Sequence, residues 1–380
     1  MRKKEFVGKL IVNSVLFIIV IIWILPSLGL LVSSLRDKDQ LSTSGWWLAL
    51  RTSNLNEIKR LKDKTHQFER NGTFVIEGRI FDLSEAKTVK RFGISSKKPA
   101  AFEAGESVVL RDGSLLTIFE DGSYKISKIS AFEKKKGQRV FLNVRSPPRF
   151  TLENYREVLL FSGVGQAFLN SLTVAIPSTI IPLVIAAFAA YALSWMQFWG
   201  RDILFATVVC LLVVPLQMSL IPLLTMYNNI GSLLGVEGKS YPGIWMAHTG
   251  FGMPLKIYLM RNFIKSLPRE MIEAARVDGA NHYQIFLKII LPLSIPAFAS
   301  IGILQFLWVW NDLLVALVFL DKTPGEIVLT SKLREMLGSY GDNWEILTAS
   351  AFVSMVIPLL VFLSLQKYFV RGLVAGSVKG

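Results

Sequence analysis

One cysteine, Cys210, stands in a chain of 380 residues, and its only histidines are His66, His248 and His282. A lone thiol excludes a disulfide framework and a thiolate-held metal cluster. Three scattered imidazoles give no spacing for a histidine-based metal site, so no metal and no cofactor is expected. Charge is scarce as well: 18% of residues are Asp, Glu, Lys or Arg, against about a quarter in soluble globular proteins. Apolar residues fill the gap, at 52% of the chain with a mean hydropathy of +0.44, so much of the surface must face something other than water. Acidic side chains are the rarer sign, 28 against 42 basic ones, for a net charge of +14. That excess fits nucleic-acid binding or a membrane protein with basic cytoplasmic loops.

The apolar runs decide between them. A helix needs about 20 mostly apolar residues to cross the hydrocarbon core. Residues 10–35, 172–194, 203–229 and 346–366 hold no charged side chain, and 289–319 holds only Asp312. Residues 241–260 contain Lys256, which near a helix end can snorkel to the interface, so this run is kept as a span. Six spans are expected. The first begins after Arg2, Lys3 and Lys4 but exceeds the 7–15 apolar residues of a signal peptide and has no A-x-A site close behind it; it reads as uncleaved. An even number puts both termini on one side. Thirteen basic residues then fall on inner segments against four on the short outer loops, which places the termini in the cytoplasm.

Residues 36–149 are the exception, with 23 basic and 14 acidic residues on the outer side. Loops longer than about 60 residues translocate largely regardless of charge. Asp112-Gly113 and Asp121-Gly122 are two-residue turn signals of the kind that type I′ hairpins use, and the flanking runs alternate like strands. A meander of four to six strands is expected. The insertion lacks paired histidines, a nucleophile elbow and any cysteine, so it reads as a structural or docking module. Thr151 then caps a short helix, in which Leu152, Tyr155, Val158 and Leu159 share one face, lying along the outer membrane surface.

Two nucleotide motifs fail. Gly238-Lys239-Ser240 lacks the earlier glycine of a phosphate-binding loop, where Leu233 stands, and Gly250-Phe251-Gly252 has Leu255 at its third glycine position. The chain is not expected to hydrolyse ATP, so the energy for active transport must come from a partner or an ion gradient.

The inner loop between the fourth and fifth spans carries more information. Pro268 suits the start of a helix, Glu270 and Glu273 lie near its positive end, and Gly279 suits its stop. A second helical pattern with Ile285, Phe286, Ile289 and Ile290 runs to Pro292. Ala274, Ala275 and Gly279 leave room for another backbone, while Glu273 and Asp278 offer acceptors; an interfacial amphipathic helix is the other reading. Glu273-Ala274-Ala275, Gly279 four residues on, and the Leu-Pro that follows resemble the EAA loop of permease subunits of ATP-binding-cassette importers. The resemblance extends over residues 150–380 and is nearest to carbohydrate permeases of the maltose and α-glucoside type. It is carried also by Asn170-Ser-Leu-Thr173, Leu307-Trp-Val-Trp-Asn-Asp312 and the glycine-rich tail from Gly372. Ser44-Gly-Trp-Trp47 and the outer insertion look more like the α-glucoside and glucosylglycerol branch.

The resemblance implies a fold class: an all-α integral membrane protein, with six transmembrane helices of the type I importer permease fold and a β-rich extracytoplasmic insertion between the first two. The expected parts are residues 1–35, 36–149 and 150–380, with a coupling hairpin near 267–291. The implied setting is a bacterial or archaeal cytoplasmic membrane. Implied partners are a second homologous permease, an ATPase dimer, an extracytoplasmic solute-binding protein, the sugar and the lipid bilayer, without nucleic acid. Glu273, Ala274, Ala275, Asp278 and Gly279 would couple to the ATPase, and a tail with Gly372, Gly376 and Lys379 would reach it too. Asp312 inside a span needs a partner or water; with Trp308, Trp310 and Asn311 beside it, and Gln217 between Pro215 and Pro222, it is a candidate for the solute path. The same Asp312 and tryptophans also fit an interfacial belt near the outer end of the span. Two other functions compete: a secondary transporter, which needs relay residues and repeats, and a membrane-anchored sensor using the outer domain.

Overall fold

A computed structural model describes residues 2–82, 85–133, 136–235, 237–339 and 343–377. They fall into two compact units, one running to Asn154 and taking in residues 343–349, the other formed by Tyr155 onward and by the chain from Ser350.

The first unit begins with α1 (Arg2–Ser34), whose apolar side chains are almost all exposed, followed by α2 (Lys38–Thr43) and a 3-10 turn at Trp46–Leu48. Nine strands follow among the described residues: β1 (Ser53–Arg60), β2 (Phe68–Arg70), β3 (Thr73–Arg79), β4 (Thr88–Gly93), β5 (Phe102–Glu103), β6 (Ser107–Val109), β7 (Leu115–Ile118), β8 (Ser123–Lys128) and β9 (Arg139–Ser146). They form two antiparallel sheets, ordered β1-β9-β4-β5 and β2-β3-β8-β7-β6. The expected single meander of four to six strands is therefore corrected. Strand β9 shows why both sheets are needed: Val140, Leu142 and Val144 alternate inward and join Ile76, Leu116, Ile118 and Ile126 of the other sheet in one core. The polar β1 and β4 hid in the sequence because each holds only two large apolar residues, Leu55 and Ile58 or Val89 and Phe92, three positions apart and so out of the alternation of a half-buried strand.

The two Asp-Gly turns form hairpins, but not by the expected geometry. Gly113 and Gly122 have positive φ while neither aspartate does. In each, the glycine N–H closes a turn onto Leu110 or Phe119, and the aspartate Oδ1 accepts from the backbone N–H of Ser114 or Ser123. This is the three-residue loop with a glycine bulge rather than a type I′ turn. A Cβ at Gly122 would also lie 2.8 Å from Phe81. Gly122→Val is therefore expected to loosen the insertion, with left-handed backbone alone costing about 1–2 kcal/mol. Limited proteolysis of the full chain should cut this variant faster, whereas Gly113→Asn, with nothing within 4 Å of its Cβ, should resist as the parent does.

The ends of the insertion are pinned together. Ser53 and Ser146 are register partners, and Gln40 donates to Pro147 O at 2.6 Å and accepts from Arg149 N. Asn154 donates to Ser34 O and Arg36 O at 2.8 and 2.9 Å, satisfying carbonyls that the end of α1 leaves open. Thr151 Oγ1 caps the next helix by accepting from Glu153 N, as expected. On the sheets, Lys87 bridges Glu57 and Glu85 at 2.8 and 2.7 Å. Burial alone would lower its pKa, but the two carboxylates win and raise it.

The chain continues as α3 (Glu153–Arg156), a π-helical turn at Glu157–Phe161, α4 (Val164–Trp195), α5 (Arg201–Leu211), α6 (Leu216–Leu234), α7 (Tyr241–Lys265), α8 (Arg269–Val277), α9 (His282–Ile285), a second π turn at Phe286–Ile290, α10 (Leu291–Trp310), α11 (Leu314–Phe319), α12 (Leu329–Ser339) and α13 (Trp344–Ser377). Among the described residues, four helical stretches are long and apolar enough to cross a membrane: those over residues 6–34, 164–195, 282–310 and 344–368. The expected third span is not one helix. Helices α5 and α6 meet at 108° across a break ending at Pro215, which has no N–H to continue the ladder of α5 and whose ring would clash with the carbonyl four residues back. Residues 289–319 are also interrupted, because α10 stops at Trp310 and α11 starts at Leu314. Helix α7 has the length, 25 residues, but not the apolar composition of the other four. It is nevertheless central to its unit: Ile257, Met260 and Ile264 share a core with Ala186, Ala187 and Ala190 of α4 and Phe298 and Ile301 of α10. Small residues on α4 allow that close approach.

Candidate functional site

Helix α8 forms from a short amphipathic sequence. Pro268 precedes its first residue as the N-cap, and the helix ends in a Schellman motif: Gly279, with φ +81°, donates to Arg276 O at 3.0 Å, and Ala280 N donates to Ala275 O at 2.9 Å. Asn281 and Gln284 then make a reciprocal capping box for the next helix. One side of α8 serves this chain. Ile272 is buried in the α4–α7–α10 core, Ala275 packs against it, and Arg276 Nη2 donates to Trp195 O at the end of α4. The other side is open: Glu273, Ala274, Val277, Asp278 and Gly279 are exposed, with Met271 and Tyr283 nearby. The motif thus divides. Ala275 and Gly279 stop and seat the helix, while Glu273, Ala274, Val277 and Asp278 offer a small apolar and acidic face.

The second arm differs from the expected separate helix. Pro292 does not end it; α9 passes through the π turn into α10 as one stretch, residues 282–310. Leu291 N donates back to Phe286 O, five residues earlier. The wider turn accommodates a proline that supplies no N–H to the ladder. Tyr191 OH, 2.9 Å from His282 Nδ1, ties this arm to α4.

The expected solute-path residues are only partly brought together. Asp312 lies in the break after α10, where its Oδ1 accepts from Val315 N at 2.7 Å and its carbonyl accepts from Thr330 Oγ1 at 2.9 Å. With Ser171, His248, Trp310 and Thr330 it lines a cavity of about 10 Å³, room for roughly one water and none for a sugar. Trp310 belongs to the core, donating to Ser354 O and packing on Phe168 and Phe306. Trp308 meets His248 edge-on, and Asn311 is exposed, donating back to Leu307 O. Gln217 is exposed in the first turn of α6 and does not line that cavity. In the tail, Gly372 and Gly376 continue α13, and Lys379 lies outside the described residues.

A polar knot of Lys256, Gln305 and Ser178 was missed. Lys256, placed above as a snorkelling residue, is 3% exposed instead. Its Nζ donates to Gly252 O at 3.0 Å and to Gln305 Oε1 at 2.6 Å, and Gln305 Nε2 donates to Ser178 O at 3.1 Å. One amino group thereby links α7, α10 and α4. A Cβ at Gly252 would lie 2.2 Å from that nitrogen, so the glycine makes the space. The signal was the lysine itself, since ionisable residues in a span tend to face the bundle interior.

Comparison with known proteins follows the same line. The family described as "Binding-protein-dependent transport system inner membrane component" matches residues 182–374. The alpha-glucoside transport system permease protein of Rhizobium meliloti is 59% identical, over 96% of this chain and 95% of its own length. The osmoprotective compounds uptake permease protein of Synechocystis is 42% identical, over 100% of this chain and 95% of its own. A solved chain of a bacterial ABC transporter that imports the acidic polysaccharide alginate is 25% identical, with a TM-score of 0.49 over 59% of this chain and 82% of that one.

Proposed function

This chain belongs to the family of binding-protein-dependent transport system inner membrane components; from that premise we propose that it is the permease subunit through which an ATP-driven importer takes up α-glucosides or glucosylated osmolytes. It is a transport component of an ABC importer, with ATP hydrolysis in a separate subunit. Family membership displaces the secondary-transporter and sensor readings. The sugar class rests on one observation, the 59% identity to an α-glucoside permease along nearly the whole of both chains.

In this reading α7 and the broken pair α5–α6 complete six spans, both termini are cytoplasmic, and the insertion is extracytoplasmic. The open face of α8 seats in a groove of one ATPase subunit, a second permease completes the pathway, and a solute-binding protein delivers the sugar. The tail with Gly372, Gly376 and Lys379 approaches the ATPase from the same side. Gln217, Trp308, Asn311 and Asp312 contact solute only in a conformation more open than the one described, because the cavity at Asp312 is too small here. Proteoliposomes holding the full importer and loaded with ATP should accumulate maltose, sucrose or glucosylglycerol when the binding protein is outside. Accumulation driven by an ion gradient without ATP would contradict the proposal.

The insertion is a docking module for the binding protein. Because Ser53 and Ser146 pair, residues 53–146 can be replaced by a short turn without separating the remaining ends. Uptake should then fall about tenfold or more, equivalent to about 1.4 kcal/mol, while the importer still assembles. Undiminished uptake would remove the docking role.

A further inference from the structure

The segment between α1 and the sheets carries Ser44-Gly45-Trp46-Trp47, which the transport reading leaves unused. Both glycines that meet these tryptophans are needed. A Cβ at Gly45 would lie 2.4 Å from the Trp47 ring, and one at Gly29 of α1 would lie 2.7 Å from Trp46 Nε1. The Trp46 indole therefore packs on α1 five residues before that helix ends at Ser34, about 7–8 Å back along its axis. The two indoles meet edge-on with centroids 6.1 Å apart. Trp47 is nonetheless 71% exposed and Leu50 83% exposed, and Arg51 follows directly. Phe150 and Leu152, also exposed, are tied to the same end of α1, where Arg36 bridges to Phe150 and Thr151 N donates to Leu35 O at 2.7 Å.

We infer that the turn from Gly45 to Leu50 is a membrane foot, inserting Trp47 and Leu50 into the headgroup–acyl boundary of the leaflet that the C-terminal end of α1 reaches. The inference rests on the reading of α1 as a span. A lipid surface fits better than a soluble partner because Trp46 fixes the turn alongside α1, back from the end of a helix whose apolar side chains are exposed as far as Leu28. Tryptophan, with an apolar ring and one N–H, favours this boundary, and the basic Arg51 and Arg149 suit lipid phosphates beside it. The foot fixes the root of the insertion at the bilayer, so that its sheets stand on the membrane rather than on a free tether.

Cys210→Ser leaves the chain without cysteine, so single nitroxide labels can be placed at Leu50→Cys, at Trp47→Cys and, within α1, at Val15→Cys. In the assembled importer in nanodiscs, collisions with oxygen, which partitions into lipid, are compared with those of a water-soluble nickel chelate. The expected result at residues 47 and 50 is oxygen access several-fold above nickel access, at a shallower depth than residue 15. Nickel access equal to or above oxygen access would put the foot in water, and low access to both would put it under protein; either overturns the inference. A label at residue 15 that oxygen does not favour would overturn the span reading and the foot with it.

Discussion

Gln305→Leu is expected to destabilise the helical unit strongly, by breaking a buried polar link between three helices. Gln305 on α10 accepts from Lys256 of α7 and donates to Ser178 O of α4. Leucine would leave the Lys256 amino group, 3% exposed, with Gly252 O as its one described acceptor. Stranding a buried polar group costs about 1–3 kcal/mol, and more when it is charged. Replacing both partners by apolar side chains of similar shape is close to neutral. Lys256→Met with Gln305→Leu should therefore recover most of what Gln305→Leu loses, as a strong positive coupling in a double-mutant cycle. Gly252→Ala should act in the same direction as Gln305→Leu, by pushing the amino group aside. Thermal unfolding of the purified importer in nanodiscs orders these variants. A double variant that loses the sum of the two single losses would contradict the account.

Gly279→Val is expected to abolish most coupled uptake without dislodging the chain from the membrane. Gly279 sits at φ +81°, and a Cβ there would meet nothing within 4 Å, so the cost is conformational. For a β-branched residue that region is a genuine outlier, at about 1–2 kcal/mol or more, enough to shift the population of the native turn by roughly 5–30-fold. The Schellman bonds to Arg276 O and Ala275 O would open, turning the exposed face of α8 while Ile272 keeps its base anchored. Gly279→Asn, which tolerates the left-handed region better, should retain a larger share of uptake. Sugar uptake and ATP hydrolysis are measured together in proteoliposomes. Equal coupling in the valine and asparagine variants would contradict this reading.

The legible parts of the fold are those that one element specifies alone. Residues 10–35 and 172–194 gave their helices because an uninterrupted apolar run has few other uses, and the stop at Gly279 followed from residue type. What depended on neighbours was less legible. Lys256 was placed at an interface because nothing in its own helix shows that Gln305 and Ser178 approach from two others. The break after Trp310 was hidden because residues 313–320 remain apolar; Asp312 marks it by capping α11, a role that competes with solute contact. The nine strands were undercounted because β1 and β4 become half-buried only when a second sheet covers them. Around α8 the motif singles out residues without showing how they divide: Ala275 and Gly279 hold the helix in this chain, and Glu273, Ala274 and Asp278 are exposed.

That division is the centre of the functional account, and a photocrosslinker tests it directly. Benzoylphenylalanine is placed at Ala274, which is exposed on α8, and separately at Trp23, which is 79% exposed on α1, in the fully assembled importer. The account predicts an adduct between residue 274 and the ATPase subunit on illumination, and none with that subunit from residue 23. An adduct of residue 274 with the solute-binding protein, or no protein adduct at all in an importer that transports sugar, would contradict it.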